Sequence, residues 1–308
     1  MTTQTLSRER PYLAALWMAG AIFGFSAMAM SARGVSEGMT TFGILFWRSV
    51  VGILIVGGVA VALGRGNELR LRAPGLQVLR NGVHLAGQGA WLKALGLIPL
   101  AQLFAVEFSY PIIVALLAPL VLGERLGAVK LGTAMLGFCG ILLVARPFGG
   151  AGISPGILWA LGAALGFAGS AIATKRLTRQ VTVISVLFWM SVLQAVMALA
   201  LVVAAGHPVW PAPRDWLMLP LVSIFGLVAH LSLTTALSLA PASVVTPMDF
   251  LRLPLIAVVG ALFYAEPFDP MVILGGAVIF AANWVNLLVD GRRRRAAAPP
   301  DAQLPGRA

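Results

Sequence analysis

The chain has 308 residues, 59% of them apolar and 11% charged, with 22 Lys+Arg against 11 Asp+Glu for a net charge of +11. Soluble domains carry about 25% charged and about 45–50% apolar residues, so this composition excludes a water-soluble enzyme and a disordered polyelectrolyte. A secreted domain stapled by disulfides is excluded as well, because Cys139 has no second cysteine to pair with.

At about 20 apolar residues per transmembrane helix, the length admits ten spans. Apolar runs separated by short polar or Pro/Gly breaks predict them over 12–32, 41–63, 76–97, 99–121, 128–146, 154–174, 181–205, 215–238, 241–264 and 271–289. The runs are long and continuously apolar rather than alternating, which excludes β-barrel strands. The first run is followed directly by another span, so it reads as a helix and not as a cleaved signal peptide. After Asp290 the run Arg292 to Arg295 and the Ala/Pro-rich end read as a disordered tail.

The basic residues give the topology. With the N-terminus in the cytoplasm, the inside segments hold Arg8, Arg10, Arg65, Arg70, Arg72, Arg80, Arg125, Lys130, Lys175, Arg176, Arg179, Arg292, Arg293, Arg294, Arg295 and Arg307. The outside loops hold only Arg33, Arg146 and Arg214. This asymmetry predicts both termini in the cytoplasm of a bacterial-type plasma (inner) membrane. The positive charge is therefore a topology signal and not a footprint for nucleic acid; Arg292–Arg295 could also touch anionic lipid.

A shift of 142 residues superimposes one half of the chain on the other. Leu16-Trp17 falls on Leu158-Trp159, Gly20 and Gly24 on Gly162 and Gly166, Phe46-Trp47 on Phe188-Trp189, and Glu124 on Glu266. Each half holds five spans, an odd number, so the second copy must enter the membrane the opposite way round. The predicted fold is an all-α integral membrane protein of ten transmembrane helices arranged as two inverted five-helix repeats. The first repeat covers 1–150, the second 151–290, and the tail 291–308. Inverted repeats of this kind characterise secondary transporters with a midplane site.

The residues also carry a resemblance. The stretches Ala94-Leu-Gly-Leu-Ile-Pro99 with Gly123-Glu124, and Ala236-Leu-Ser-Leu-Ala-Pro241 with Ala265-Glu266, together with the paired glycines of spans 1 and 6, resemble the drug/metabolite transporter (DMT) superfamily, in its EamA-type branch. That resemblance implies a plasma-membrane carrier of small metabolites, often amino acids or their derivatives. It also implies a central cavity lined by spans 1, 3, 4, 6, 8 and 9.

Charges inside the spans are the candidates for function, since an ionised residue at a helix centre costs about 2.5–3.5 kcal/mol on insertion scales and normally faces a cavity or a partner. Glu107 and its shifted counterpart Asp249 are paired acids, Arg252 follows Asp249 on the same helix face, and Tyr110 holds the equivalent position after Glu107. Arg48 on span 2 and Lys93 near the outer end of span 3 add positive charge. His84, Gln88 and Trp91 share one face of span 3, and Gln88 corresponds to His230 on span 8. These ten residues are the candidates for substrate binding or coupling; structural pairing of Asp249 with Arg252, and of Glu107 with Arg48 or Lys93, is the competing reading. The five intramembrane charges sum to +1, which an anionic substrate group could balance.

Pro111 and Pro119 in span 4, with Pro247 and Pro254 in span 9, predict interrupted helices at corresponding positions. Glu124 and Glu266 read as helix-end caps or anchors, Cys139 as a packing residue, and Asn283 and Asn286 as interhelical glue or a dimer contact. No metal-ligand cluster, HExxH or GxSxG pattern points to an intramembrane enzyme, and no cofactor is expected. A channel or a membrane sensor is the alternative class. The expected partners are a small-molecule substrate, the lipid bilayer and, through span 10, a second copy of the chain.

Overall fold

The computed structural model describes residues 11–35, 39–110, 112–114, 116–117, 128–145, 153–177, 180–207, 210–239, 248–249, 251–266 and 269–297. Among them the helices are α1 (Pro11–Arg33), α2 (Thr41–Ala62), α3 (Pro74–Leu95), α4 (Leu100–Glu107), α5 (Ala128–Ala145), α6 (Pro155–Leu177), α7 (Val183–Ala204), α8 (Met218–Leu239), α9 (Arg252–Tyr264) and α10 (Pro270–Ala297). Short 3-10 turns at Gly66–Leu69 and Pro213–Trp216 complete the described elements, with no β-strand among them. Five helices are long and apolar enough to cross a bilayer, within α1, α2, α6, α7 and α8, and shorter apolar helices accompany them. The α3 helix is as long as α2, but Gln77, Arg80, Asn81, His84 and Gln88 dilute its apolar character.

The polarity of the molecule is turned inside out. Leu16, Phe23, Leu54, Leu262 and Phe263 are each more than 60% exposed, whereas Arg48, Arg80, His84, Gln88, Glu107, Asp249 and Arg252 are buried. Apolar surface on this scale needs an apolar solvent, and polar groups cut off from water need each other. The chain is a multi-pass membrane protein built on that principle.

Helix α1 packs on α8, α3 on α6, α2 on α7, α5 on α10, and α4 against α9. Close approach of small residues makes these seams, which is how helices associate when lipid supplies no hydrophobic drive. A Cβ added at Gly24 would stand 2.8 Å from the backbone nitrogen of Ala229 and 2.9 Å from the carbonyl of Phe225. At Gly166 it would stand 2.8 Å from the nitrogen of Gly87 and 3.1 Å from the carbonyl of Val83. Those two environments are the same once 142 is added or subtracted.

Helix α4 ends at Glu107 in a turn over Phe108 and Ser109, after which helical backbone resumes at Tyr110. In that turn the Ser109 N–H donates to the Val106 carbonyl at 3.0 Å, and ahead of α9 the Leu251 N–H donates to the Met248 carbonyl at 3.2 Å. The two turns are again 142 residues apart. Interruptions are thus present where the prolines predict them, although Pro111, Pro119, Pro247 and the Pro254 side chain lie outside the described residues, as do Glu124 and the side chains of Asn283 and Asn286.

Two expectations need correction. Helix α10 continues to Ala297, so the segment from Gly291 to Ala297 is helical and not disordered; arginine and alanine are good helix formers, and cations suit a helix C-terminus. Cys139 is exposed on α5 and does not serve as interior packing. The remaining tail, 298–308, lies outside the described residues.

Candidate functional site

Buried polar groups gather in two adjoining clusters. The first forms where α4 and α9 are interrupted. Arg252, 3% exposed at the start of α9, donates through Nη2 to Glu107 Oε1 at 3.1 Å and to Asp249 Oδ2 at 3.0 Å. Trp91 Nε1, on the last turns of α3, donates to Glu107 Oε2 at 2.7 Å. The guanidinium lies 4.8, 4.9 and 5.1 Å from the ring centroids of Phe25, Phe104 and Phe108. Tyr110 stands within electrostatic range of all three charged groups. Two polar atoms in this cluster, Asp249 Oδ1 and Arg252 Nε, have no hydrogen-bond partner among the described residues. Glu107 therefore pairs with Arg252, and neither Arg48 nor Lys93 takes that role; Lys93 is exposed near the end of α3 and stays outside both clusters.

The second cluster is built on α2, α3, α7 and α8. Arg48 Nη2 donates to Gln194 Oε1 at 3.4 Å. With its amide oxygen turned toward the guanidinium, Gln88 accepts from Arg48 Nη1 at 2.9 Å and Nη2 at 2.6 Å, accepts from His84 Nε2 at 3.2 Å, and donates to Gln194 Oε1 at 2.9 Å. The His84 and His230 rings are 5.5 Å apart, and His230 meets Phe25 at 5.3 Å, so Phe25 bridges the two clusters. A small cavity of about 10 Å³ lies between Arg48, Ser49, Ser191, Gln194, Ser223 and His230. That is room for about one water molecule, far below the about 300–1,000 Å³ of a usual ligand pocket.

The sequence reading brought out His84, Gln88 and Trp91 on α3 but assigned Arg80 to a cytoplasmic loop. In the structure Arg80 is a buried part of α3, 5% exposed, and it donates to Thr174 Oγ1 at 3.1 Å and Asn81 Oδ1 at 2.7 Å. Gln77, Asn81, Gln194 and the pocket serines were also missed. The signal was available on α3, where positions 77, 80, 81, 84, 88 and 91 recur at helical spacing. For Gln194, a lone amide in an apolar span, the signal was weaker.

At the end of the bundle carrying Arg33, its guanidinium pairs with Glu266 and donates to the carbonyls of Leu95 and Ile98. Glu266 Oε2 accepts the Leu100 N–H at 2.9 Å, so it caps α4 across the helix interface, in keeping with its reading as a helix-end cap. At the opposite end Glu68 accepts from Arg65 and from Thr182, and Trp189 Nε1 donates to the Leu69 carbonyl at 3.0 Å.

Comparison with known proteins completes the picture. The chain is 29% identical over 275 residues to a riboflavin transporter of Brucella anthropi, which covers 86% of this chain and 89% of that protein. It is 25% identical to an S-adenosylmethionine uptake transporter of Rickettsia conorii, over 90% of this chain and 92% of the relative. It is 26% identical to the pseudopaline exporter CntI of Pseudomonas aeruginosa, over 85% and 91% of the two chains. A crystal structure with 20% identity covers 91% of this chain and 99% of its own at a TM-score of 0.66, a likeness of fold. The sequence profile of the EamA-like transporter family matches twice, over residues 12–146 and 154–288. On that double match, across most of an all-helical membrane chain, the protein belongs to the EamA-like transporter family, of the drug/metabolite transporter superfamily.

Proposed function

We propose that this small-metabolite transporter is a secondary carrier working by alternating access, with ten spans in two inverted repeats, both termini in the cytoplasm, and a small polar metabolite, an amino acid or a related compound, as its substrate. The observation that carries the reading is the Glu107–Arg252–Asp249 cluster, set at paired interruptions of α4 and α9 in the middle of an apolar bundle. Irregular backbone and charge at membrane depth are expensive, and transporters place them at the site. The duplication is supported by the two profile matches, which start 142 residues apart, and by helix seams that keep the same offset. Opposite orientation of the halves is supported by the tryptophans: Trp47 meets Trp210 at a tilt and Trp216 edge-on at one end of the bundle, while its counterpart Trp189 sits with Leu69 at the other.

The test is flux in proteoliposomes, measured in both directions with a labelled panel of amino acids, riboflavin, S-adenosylmethionine and nucleosides. The carrier reading expects saturable flux and counterflow of at least one compound. It also expects Glu107→Gln and Asp249→Asn to reduce flux while the protein still reaches the membrane. Non-saturable flux points to a channel, and full transport by the double variant removes the cluster from the mechanism.

A further inference from the structure

The charges of the two clusters do not balance. Their two carboxylates, Glu107 and Asp249, are committed to Arg252, and the other buried carboxylate, Asp215, belongs to the Pro213–Trp216 turn. Arg48 and Arg80 are as deeply buried, at 8% and 5% exposure, yet each is held only by neutral acceptors: Gln88, Gln194 and the Met28 sulfur for Arg48, Thr174 and Asn81 for Arg80. Among the described residues no carboxylate pairs with either. A guanidinium taken out of water without a counter-ion is costly, and amide oxygens replace only part of what a carboxylate or phosphate gives.

Arg48 is the one of the two that reaches the pocket. The other polar lining is already committed in a telling way. Ser49 Oγ donates to the Leu45 carbonyl at 2.7 Å, Ser191 Oγ to Leu187 at 3.1 Å, and Ser223 Oγ to Leu219 at 2.8 Å. Each hydroxyl proton is used within its own helix, which leaves oxygen lone pairs facing the pocket. The wall thus presents one forked cation among acceptors. Beside it His84, 5% exposed, keeps Nδ1 without a hydrogen-bond partner among the described residues.

We propose that Arg48 anchors an oxoanion of the transported compound, a carboxylate or a phosphate, while the serine oxygens accept from N–H or O–H groups next to that anion. The planar guanidinium fork fits both oxoanions in the bidentate manner. Arg80, within electrostatic range of Arg48, adds to the attraction without entering the pocket. This substrate class rests on the carrier reading above and narrows it to anions and zwitterions.

The experiment uses the full-length protein and three probe pairs whose members differ in the acid group: riboflavin 5′-phosphate and riboflavin, AMP and adenosine, L-tryptophan and L-tryptophanamide. Flux is followed in proteoliposomes and binding by thermal shift in detergent. In at least one pair the acid-bearing member is expected to bind at least about tenfold more tightly, the scale of one charge-assisted hydrogen bond. Arg48→Gln should erase that preference, and Arg48→Lys should keep part of it. Because Arg48 is buried, Gln194→Glu supplies an independent arm, placing a carboxylate where Oε1 now stands 3.4 Å from Nη2. That variant is expected to raise the thermal midpoint without ligand and to weaken anion binding. The proposal is overturned if no acid-bearing probe is preferred, if the preference survives Arg48→Gln, or if Gln194→Glu lowers the midpoint. Saturable flux of neutral members alone overturns the oxoanion site and leaves the carrier standing, whereas non-saturable flux of every probe overturns the carrier.

Discussion

The seam between α3 and α6 offers a direct test of how the bundle is held. A Cβ at Gly166 would stand 2.5 Å from the Gly87 Cα, 2.8 Å from its nitrogen and 3.1 Å from the Val83 carbonyl. All three are backbone atoms, so no side chain can swing aside, and Gly166→Ala must push the two helices apart by several tenths of an ångström. Overpacking of this kind costs about 1–3 kcal/mol. Gly24→Ala meets two backbone atoms on α8, the Ala229 nitrogen and the Phe225 carbonyl, together with the short Ala229 Cβ, and should cost a similar amount. The two seams share no atoms, so the double variant should show nearly the sum. Gly82→Ala is the control: it lies on α3 itself, with nothing within 4 Å of the new methyl group. Thermal unfolding of the purified variants in one detergent decides the matter. The expected order places Gly82→Ala with the parent, both seam variants clearly below it, and the double variant lowest. A Gly166→Ala protein as stable as Gly82→Ala would refute the close-packed seam. The seam also bears on transport, since Gly87 adjoins Gln88 and lies one turn from His84. Gly166→Ala should therefore weaken substrate affinity more than Gly82→Ala does.

Trp91→Phe removes the 2.7 Å donor to Glu107 and leaves a buried charged acceptor short of a partner; a loss of about 1–3 kcal/mol is expected, read as lowered thermal stability together with reduced flux, and unchanged values for both would contradict the role given to Trp91. Glu266→Gln weakens the tie that holds the ends of α1, α4 and α9 together. In a Cys139→Ala background, a cysteine at Phe104 should then react several-fold faster with a membrane-impermeant reagent added on the face carrying Arg33, and an unaltered rate would show that this tie does not gate access. Hydrogen bonds from Arg65 and then Thr182 hold the Glu68 carboxyl below the usual glutamate range. A depressed carboxylate contributes stability above its unfolded pKa and loses that contribution as pH falls through the folded value. Acidification below about pH 4.5, the ordinary value, should accordingly loosen the contact between the Gly66–Leu69 turn and Thr182, and Glu68→Gln should flatten this part of the acid profile, as followed by proteolysis of that loop.

Much of the fold was legible because apolar run length is a strong signal and few soluble alternatives share it. The i, i+3 spacing of Asp249 and Arg252 on one turn also carried through to a 3.0 Å contact. Which carboxylate faces which cation was not legible: Glu107 and Arg252 are 145 residues apart in the chain, and only the α4·α9 seam brings them to 3.1 Å. Arg80 was misplaced for a different reason. A basic residue six positions into a helix satisfies the charge rule for a cytoplasmic loop as readily as it fits a buried stripe. What distinguishes the two is the company it keeps at 77, 81, 84 and 88.

The pairing at an offset of 142 also explains why the centre is chemically lopsided. Backbone devices keep the offset: the turn bonds at Ser109 and Leu251, and the tight glycines at 24 and 166. In the two clusters the acids Glu107 and Asp249 keep it as well, but most of the other polar side chains do not. Tyr110 stands opposite Arg252, Arg48 opposite Met190, His84 opposite Gly226, and Gln88 opposite His230. Under the proposed duplication, rocking between two conformations needs the halves to be mechanically alike, so seams and hinges resist divergence. A metabolite has no two-fold symmetry, and a site that grips one end by charge and the other by neutral groups must break the symmetry it inherits. Arg48 against Met190 is that break at the pocket wall, which makes Met190→Arg informative. A second guanidinium there would restore the symmetry and raise the uncompensated charge. The expected result is lower thermal stability in the unliganded protein, with the loss recovered by excess phosphate.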